Sequence, residues 1–309
     1  MLMKYEIKEN TLIINGVENF DLSKCCSCGQ AFRWKLFKDG ESWLGIIRGR
    51  PVLARQTGDS MTVFPCSEDE AELFINYFDL ERDYAKIEKL IVSDSRLSVC
   101  LPSASGIRVF NQEPFEALIT FIISANNNIK RIAVIVDRLC TLCGDEINFM
   151  GEKLYAFPRP AQIAGLTLEE LNAIGAGFRA KYILDTSKCI AAGYDLEKLR
   201  SMSLDDARKE LLNFRGVGPK VADCVLLFSL GHTDAFPIDV WIGRAMQEMF
   251  FDSNPPKKEE LQAAVESLGK YSGIVQQYIF YYAREIKLGK PEHKSVHKSA
   301  NKSVHKKGN

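Results

Sequence analysis

A turn with two glycines between two helical segments constrains the fold of this chain more than any other feature. Residues 214–220 read FRGVGPK and follow a segment with apolar residues at helical spacing and Ser203 as its candidate N-cap. Pro219 suits the first position of a second helix, predicted to run to about Leu230. The glycines can adopt positive φ and let a ligand approach the backbone. The sequence therefore predicts a hairpin between two helices, with phosphate-binding amides at Gly216, Val217 and Gly218. Taken alone, however, the turn is more typical of an ordinary packing corner between two helices.

Two ionisable residues beside this turn suggest chemistry as well as binding. Lys220 would lie in the first turn of the second helix, where the helix dipole disfavours a cation and an amine can serve as a nucleophile. Cys224 follows one turn later on the same face. Asp239 is predicted to cap the next helix, and its carboxylate could also face the lysine. Simpler readings remain open: a lysine that binds phosphate or pairs with Asp223, and a carboxylate that only caps.

Five separated motifs resemble the helix-hairpin-helix-GPD superfamily of DNA glycosylases and, more narrowly, its 8-oxoguanine DNA glycosylase/lyases. The hairpin with Lys220, followed nineteen residues later by Asp239, is one of them. The others are residues 28–34 (CGQAFRW), similar to the lesion-reading segment; 126–131 (NNNIKR), similar to the triple-asparagine turn; 177–180 (GFRA), similar to the wedge loop; and 269–280, similar to the C-terminal pocket helix. Five matches in order across residues 22–290 are far more specific than any one of them.

The resemblance implies a role for each matching residue. Lys220 would attack C1′ of a flipped nucleotide, and Asp239 would stabilise the positive charge on the sugar. The backbone carbonyl of Gly29 would accept a hydrogen bond from N7–H of 8-oxoguanine and repel the N7 lone pair of guanine. The other implied roles are a lesion pocket with Cys224, Gln276 and Phe280, a wedge at Phe178 that fills the vacated stack, and readers of the opposite cytosine at Asn126, Arg131 and Arg179.

Some features depart from the pattern or limit the cofactors. Trp241 stands where better-known members often have a histidine near the DNA backbone, so no role is carried over to it. No cysteine follows Cys224, which excludes the four-cysteine iron–sulfur loop of the endonuclease III branch. Cys25, Cys26 and Cys28 lie close together, but no second pair with ligand spacing supports a zinc site. The resemblance implies that no cofactor is required, with a structural monovalent cation on the hairpin carbonyls as an option.

Composition is compatible with a soluble intracellular protein but does not by itself point to DNA. The net charge is zero and the pI is about 6.9, so any basic footprint must be local. The last residues, 287–309, hold seven lysines and one glutamate. The N-terminal residues lack an apolar run of signal-peptide length, and no stretch is long enough to span a membrane. An odd number of cysteines, nine, favours reduced thiols. These features favour reduced thiols in a cytoplasm. With the resemblance, we expect a monomer in a bacterial-type cytoplasm, close to the nucleoid.

Periodicity predicts a β-rich part followed by a helical part. With the resemblance, this implies an α+β protein in which an N-terminal antiparallel β-rich domain precedes an all-helical catalytic domain. The expected boundaries are 1–105, 106–290 and a basic, disordered tail at 291–309. Predicted strands lie within 11–17, 32–37, 43–55 and 61–64, and an Asn15-Gly16 turn signal falls in the first. A helix with a capping box covers 67–78, and residues 117–123 are apolar on every side and predict a buried helix.

The sequence therefore predicts a bifunctional DNA glycosylase and abasic-site lyase that excises 8-oxoguanine from duplex DNA. A Schiff base at Lys220 and β-elimination would carry the reaction. Two alternatives stay open. A glycosylase of the same superfamily for alkylated bases or mismatched adenine would not need Gly29 with Gln276 and Phe280. A non-catalytic hairpin protein that binds DNA would have no use for the pair of Lys220 and Asp239.

Overall fold

The computed structural model describes residues 3–288, with an antiparallel sheet first and helices after it. This order confirms the predicted fold class. The predicted tail at 291–309 lies outside the described residues. Within residues 3–288, no helix combines the length and the apolar character that crossing a membrane requires.

A six-stranded sheet forms the N-terminal part, and all neighbouring strands are antiparallel in the order β1-β2-β6-β5-β4-β3. Alternate residues of the central strands point into the core, as Leu12 and Ile14 do on one strand and Met61 and Val63 on its neighbour. The strands and the helices of this part are β1 Lys4–Lys8, β2 Thr11–Asn15, α1 Leu22–Ser27, β3 Lys35–Leu36, β4 Trp43–Ile47, β5 Arg50–Thr57, β6 Ser60–Phe64 and α2 Ala71–Tyr77, the last preceded by a 3-10 turn at Glu68–Glu70.

Some sheet boundaries differ from the predictions. The first hairpin turns at Glu9 and Asn10, both with positive φ, whereas Asn15-Gly16 only ends β2. The segment 43–55 is two strands, because the chain reverses at Arg48 and Gly49. The predicted strand at 32–37 shrinks to two residues. Trp34 leaves the sheet for the core, where its Nε1–H donates to the Tyr77 hydroxyl at 3.0 Å.

The second part is helical apart from one short hairpin. Its central helix, α5, is buried throughout residues 117–123, which confirms the prediction of a helix without a solvent face. The elements are α3 Tyr84–Ser93, α4 Leu101–Ala104, α5 Pro114–Ser124, α6 Ile129–Cys143, β7 Glu146–Phe149, β8 Glu152–Tyr155, α7 Pro160–Ala164, α8 Leu168–Ala173, α9 Ala180–Ala191, α10 Leu204–Leu212, α11 Pro219–Ser229, α12 Val240–Phe250, α13 Lys258–Ser267 and α14 Ser272–Glu285, with 3-10 turns at Ser98–Cys100, Gly177–Arg179, Glu197–Ser201 and Gly269–Tyr271.

Two hydrophobic cores underlie these two parts, and α3 and α4 pack in the second one although they precede residue 105. A buried polar junction links the cores. Arg108 is 4% exposed and its guanidinium donates to the carbonyls of Glu18, Asn19, Asp79 and Arg82. The side chain of Gln30 bonds the carbonyls of Cys25 and Arg108 and the amide of Phe110. This junction holds the segment around Gly29 against the helical part.

Candidate active site

The hairpin between α10 and α11 has the predicted form. Ser203 caps α10 and Pro219 begins α11. Gly216 has φ +82°, and a Cβ there would lie 2.3 Å from the Tyr182 ring, so both conformation and space require glycine. A Cβ on Gly218 would meet only open space. The hairpin therefore leaves an uncovered backbone surface at the start of a helix.

The amides of this surface differ from the prediction at one position. Within residues 3–288, the amides of Gly218, Lys220 and Val221 have no backbone acceptor, so they can bind an anion. The amide of Val217 instead donates to Phe214 O at 3.1 Å, and the Val217 side chain is buried. Val217 therefore anchors the hairpin through its apolar side chain, and its amide is not available to a phosphate.

Lys220 lies in the first turn of α11, and its amine points toward the end of α5. Nζ donates to Ser124 Oγ at 3.2 Å and lies 5.3 Å from the centroid of the Phe121 ring. Ser124 in turn donates to Phe121 O at 2.7 Å, so its lone pairs face the amine. The alternative pairing of Lys220 with Asp223 is wrong, because that carboxylate accepts from Arg208 Nε at 2.7 Å.

Asp239 caps α12, as the sequence predicts, and it also faces the same cavity as Lys220. Its Oδ1 accepts from the amide of Ile242 at 2.8 Å, which fixes the orientation of the carboxylate. Among residues 3–288, Oδ2 has no hydrogen-bond donor, so it can face a substrate. One carboxylate oxygen can therefore cap α12 while the other faces a substrate.

Cys224 lies beside both of these residues. Burial raises the pKa of its thiol to about 11, although the nearby Lys220 ammonium opposes the shift. The thiol is therefore protonated at neutral pH and forms part of an apolar wall.

These residues line one cavity of about 50 Å³ between α5, α11, α14 and the Gly29 segment. Gln276 donates to Pro237 O at 2.8 Å and accepts from Gln277 Nε2 at 2.7 Å, and both glutamines are almost fully buried. The side-chain nitrogen of Gln276 keeps a second N–H for a ligand, and its oxygen keeps a second lone pair. The volume holds a few waters at most, so a purine must displace a wall such as the half-buried Phe280. The lining residues are Gly29, Phe121, Lys220, Cys224, Phe228, Pro237, Asp239, Gln276, Gln277 and Phe280.

Gly29 lines this cavity at a turn of the chain. Its φ is +94°, and a Cβ there would lie 2.4 Å from Cδ1 of Ile129. No donor among residues 3–288 bonds its carbonyl. Its neighbours are held on both sides, by the buried Gln30 side chain and by Arg284, whose Nη1 donates to Cys28 O at 2.6 Å. The position is therefore a fixed turn with a free carbonyl.

The predicted wedge and two of the three predicted opposite-base readers are exposed to solvent. Phe178 is 57% exposed on its 3-10 turn, unusually open for a large aromatic residue. Asn126 is exposed with φ +49°, and Arg131 is exposed with no ion-pair partner among residues 3–288. Both can contact a ligand as they stand.

Arg179, which was predicted to read the opposite cytosine, is buried and hydrogen-bonded within the protein. It is 4% exposed, and its Nε and Nη2 donate to the carbonyls of Ala125 (2.8 Å from Nε) and Asn126 (3.1 Å from Nη2). Its guanidinium also lies 4.3 Å from the Phe178 ring centroid. Burial and then the charge of Arg131 lower the pKa of Arg179. In the free protein, Arg179 therefore supports the asparagine turn and the wedge.

Four functional candidates have no signal in the sequence. Three act through contacts between distant segments: Ser124 with Lys220, Tyr182 with Gly216, and Arg284 with Cys28. The fourth, Gln277, bonds the adjacent side chain of Gln276. Trp241, for which no role was predicted, is half-buried in the first turn of α12 between the exposed Val240 and the rest of that helix. Within residues 3–288, no cluster of three or more His, Cys, Asp or Glu side chains could hold a metal ion.

Comparison with known proteins covers both parts of the chain. Residues 12–118 match the N-terminal domain of 8-oxoguanine DNA glycosylases, and residues 119–270 match the HhH-GPD superfamily of base excision DNA repair proteins. A probable N-glycosylase/DNA lyase of Methanothermobacter thermautotrophicus is 32% identical over 87% of this chain and 95% of its own length. The N-glycosylase/DNA lyase of Saccharomyces cerevisiae is 36% identical, over 84% and 76%.

A solved structure agrees with these sequence relatives. The 8-oxoguanine glycosylase/lyase of Clostridium acetobutylicum, bound to double-stranded DNA with cytosine opposite 8-oxoguanine, superposes with a TM-score of 0.87 at 36% identity. The match covers 93% of this chain and 99% of that one. Both domains, in this order, characterise one family, and the chain belongs to the 8-oxoguanine DNA glycosylases of the helix-hairpin-helix-GPD superfamily.

Proposed function

We propose that the protein is a bifunctional DNA glycosylase and lyase that excises 8-oxoguanine from duplex DNA. One observation carries this proposal: a single cavity brings together Lys220, Asp239, the free carbonyl of Gly29 and the pair Gln276 and Phe280. A non-catalytic hairpin protein would not need that convergence. The similarity to a glycosylase/lyase that was solved with 8-oxoguanine-containing DNA supports the same substrate.

The reaction begins with extrusion of the damaged nucleotide from the helix. The amides of Gly218, Lys220 and Val221 bind a phosphate near the lesion, and Phe178 occupies the space that the base leaves. The base then enters the cavity, displaces Phe280 from its resting position and stacks on its ring. The pocket thus reaches the size of a purine only when the base is present.

Lys220 and Asp239 carry the bond changes. The amine of Lys220 attacks C1′ as the bond from C1′ to N9 breaks, and a proton that Nζ loses on bonding C1′ passes to the departing base. Asp239 stabilises the positive charge on the sugar through the oxygen that does not cap α12. Ring opening gives a Schiff base between Nζ and C1′. Loss of a proton from C2′ then expels the 3′ phosphate, and hydrolysis frees the lysine.

Base recognition is divided between backbone and side chain. The Gly29 carbonyl accepts from N7–H of the lesion, and the free donor and acceptor sites of Gln276 bond the Watson–Crick edge. Opposite the lesion, Asn126 and Arg131 are exposed and can address cytosine. Arg179 can join them only if its bonds to the carbonyls at 125 and 126 open, so its first role is to hold the turn that presents Asn126.

We further propose that the enzyme needs no cofactor, acts as a monomer, and works in a bacterial-type cytoplasm with the nucleoid. None of the steps above requires a metal ion. A monovalent cation on the hairpin carbonyls would support phosphate binding without entering the reaction. Activity that survives dialysis against a chelator would support the absence of a required metal ion. Activity that depends on the choice of monovalent salt would support the cation on the hairpin.

The nucleophile is tested by trapping. Borohydride should reduce the Schiff base and leave a covalent protein–DNA adduct on a duplex with 8-oxoguanine opposite cytosine. Lys220→Gln should form no adduct and lose roughly 10³-fold or more in excision rate, because no other amine replaces Nζ. Lys209→Gln, which removes an exposed lysine that pairs with Asp206, is the control. An adduct at wild-type yield with Lys220→Gln would reject the assignment.

Substrate class is tested with a panel of duplexes. We expect release of 8-oxoguanine, fastest opposite cytosine, and little release of alkylated bases or of adenine mispaired with guanine. Each lesion is presented opposite all four bases, and products are separated by size after the lyase step. If no duplex releases 8-oxoguanine, the proposed function is wrong.

A further inference from the structure

Arg284 joins two walls of the base pocket. Its Nη1 donates to Cys28 O at 2.6 Å, a contact between residues 256 positions apart in the chain. Its guanidinium carbon lies 5.4 Å from the centroid of the Phe280 ring. A Cβ placed on Gly29 would lie 3.7 Å from the same Nη1. One side chain therefore connects α14 with the carbonyl immediately before Gly29.

The position of Arg284 on α14 fits this use. Gln276, Phe280 and Arg284 follow each other at intervals of four residues, so they lie on one face of the helix. The first two line the cavity, and the third extends that face to the Cys28–Gly29 segment. Among residues 3–288, Arg284 forms no ion pair, and its one hydrogen bond is to Cys28. The guanidinium is committed to the pocket wall.

Selectivity for an oxidised guanine depends on the rigidity of this wall. The lesion and guanine differ at N7, which carries a hydrogen in one and a lone pair in the other. A carbonyl that cannot move rejects guanine, because two acceptors would face each other without a hydrogen between them. A carbonyl that can turn away loses that rejection and also loses its bond to the lesion. Small displacements therefore matter at this atom.

Gly29 cannot provide this rigidity by itself. It has no side chain, and nothing among residues 3–288 donates to its carbonyl. After it, the side chain of Gln30 forms three buried hydrogen bonds. Before it, Arg284 holds Cys28. Arg284 also lies against the ring of Phe280, the side chain that the base displaces in the proposed reaction.

We propose that Arg284 is a positioning residue for lesion selectivity, because it holds the segment of Gly29 and lies against the Phe280 ring on which the base stacks. This inference rests on the proposed excision of 8-oxoguanine. It assigns Arg284 no contact with the reacting atoms. Its effect should therefore appear when a base must be recognised and vanish when no base is present.

The experiment compares two DNA substrates in single-turnover reactions with excess enzyme. Arg284→Met should lower the excision of 8-oxoguanine opposite cytosine by about tenfold or more, because a hydrogen bond from a charged donor is lost. The ratio of 8-oxoguanine to guanine release should fall with it. Cleavage and borohydride trapping on a duplex with a preformed abasic site should stay within about twofold of wild type, since that substrate has no base to read.

A second variant and a control make the result specific. Arg284→Lys keeps a donor for Cys28 O but loses the planar group over Phe280, so it should recover part of the rate. Arg96→Met is the matched control, because Arg96 also stacks on a phenylalanine, with its guanidinium carbon 4.2 Å from the Phe250 centroid, but does not line the pocket.

The outcomes separate this inference from the proposed function. If wild type does not release 8-oxoguanine, the proposed function fails and the inference fails with it. If wild type is active and Arg284→Met keeps its selectivity, only the inference is overturned. Equal losses on the abasic duplex and on 8-oxoguanine would show a general structural defect and would also overturn it.

Discussion

At the scale of single residues, the site is organised by groups that hold the reacting ones in place. Ser124 is the clearest case. Its hydroxyl donates to Phe121 O at 2.7 Å and must therefore offer lone pairs to the amine of Lys220 at 3.2 Å. The hydroxyl orients the amine, and in the proposed reaction it sets the direction in which Nζ approaches C1′. Asp239 is oriented in the same way by the amide of Ile242. Such fixed geometry is what a near-attack arrangement requires.

Ser124→Ala should slow the chemical step by about tenfold, because the amine loses the acceptor that orients it. DNA affinity should not change, since Ser124 is not part of the hairpin. Single-turnover rates and anisotropy binding curves measure the two quantities. Ser267→Ala is the control, because Ser267 also lies at a helix end and donates to the carbonyl three residues before it, at 2.7 Å. Weaker binding with an unchanged rate would contradict the assigned role.

At the scale of elements, the hairpin between α10 and α11 joins two functions. Its outer surface leaves amides without acceptors, and its inner surface packs Gly216 on the Tyr182 ring. Tyr182 also contacts Phe178 edge to face, with ring centroids 6.3 Å apart. The turn proposed to bind phosphate and the proposed wedge are thus built on one aromatic residue of α9. The two glycines differ in what they contribute, because only Gly216 needs a positive φ.

Gly218→Ala should weaken duplex binding by about tenfold without loss of stability. The new Cβ meets open space in the free protein, and φ at this residue is −98°, which any residue adopts. In the complex with DNA, the new Cβ would occupy the surface where a phosphate must approach the amides. Gly58→Ala is a control for glycine replacement elsewhere: its site is also open, but φ +61° makes it strained, so it should lose about 1 kcal/mol of stability and keep DNA affinity. Wild-type binding by Gly218→Ala would exclude the proposed phosphate site.

At the scale of the whole molecule, buried polar contacts join the sheet part to the helical part. Arg33, just after the Gly29 turn, pairs with Glu116 on α5 at 3.6 Å. Burial raises the pKa of the Glu116 carboxyl to about 7, although Arg33 pulls it down. The folded protein therefore retains a proton on Glu116 between its ordinary pKa of 4.5 and about 7, where the unfolded chain has lost it. The stability from this group is complete below that window and is lost as pH rises through it.

Glu116→Gln should flatten this pH dependence. Relative to wild type, the free energy of unfolding of the variant should increase from pH 4.5 to pH 8 by up to about 3 kcal/mol, because it has no carboxyl to ionise. Urea unfolding at several pH values measures the difference. Glu169→Gln, at an exposed position of α8, should run parallel to wild type. Parallel curves for Glu116→Gln as well would disprove the assigned titration.

Local chemistry explains which predictions succeeded. The hairpin, the caps at Ser203 and Asp239 and the buried helix over 117–123 depend on residues close together in sequence, and the structure confirms them. The sheet was less predictable, because strand ends depend on pairing partners. Trp34 reads as part of a strand but packs in the core against Tyr77. The orientation of Arg179 was also beyond reach, since a Gly-Phe-Arg loop does not show whether its guanidinium turns inward.

Sequence motifs were sufficient to predict the family, the order of the two domains and the residue types of the chemistry, because each motif is complete within a short segment. Tertiary structure decided which groups hold those motifs in working geometry. Lys220 is 96 residues from Ser124, and Arg284 is 256 from Cys28. Contacts of that separation form only when α5, α11, α14 and the Gly29 segment pack together. The lysine is thus evident in the sequence, whereas the direction of its amine and the rigidity of the base pocket are properties of the folded chain.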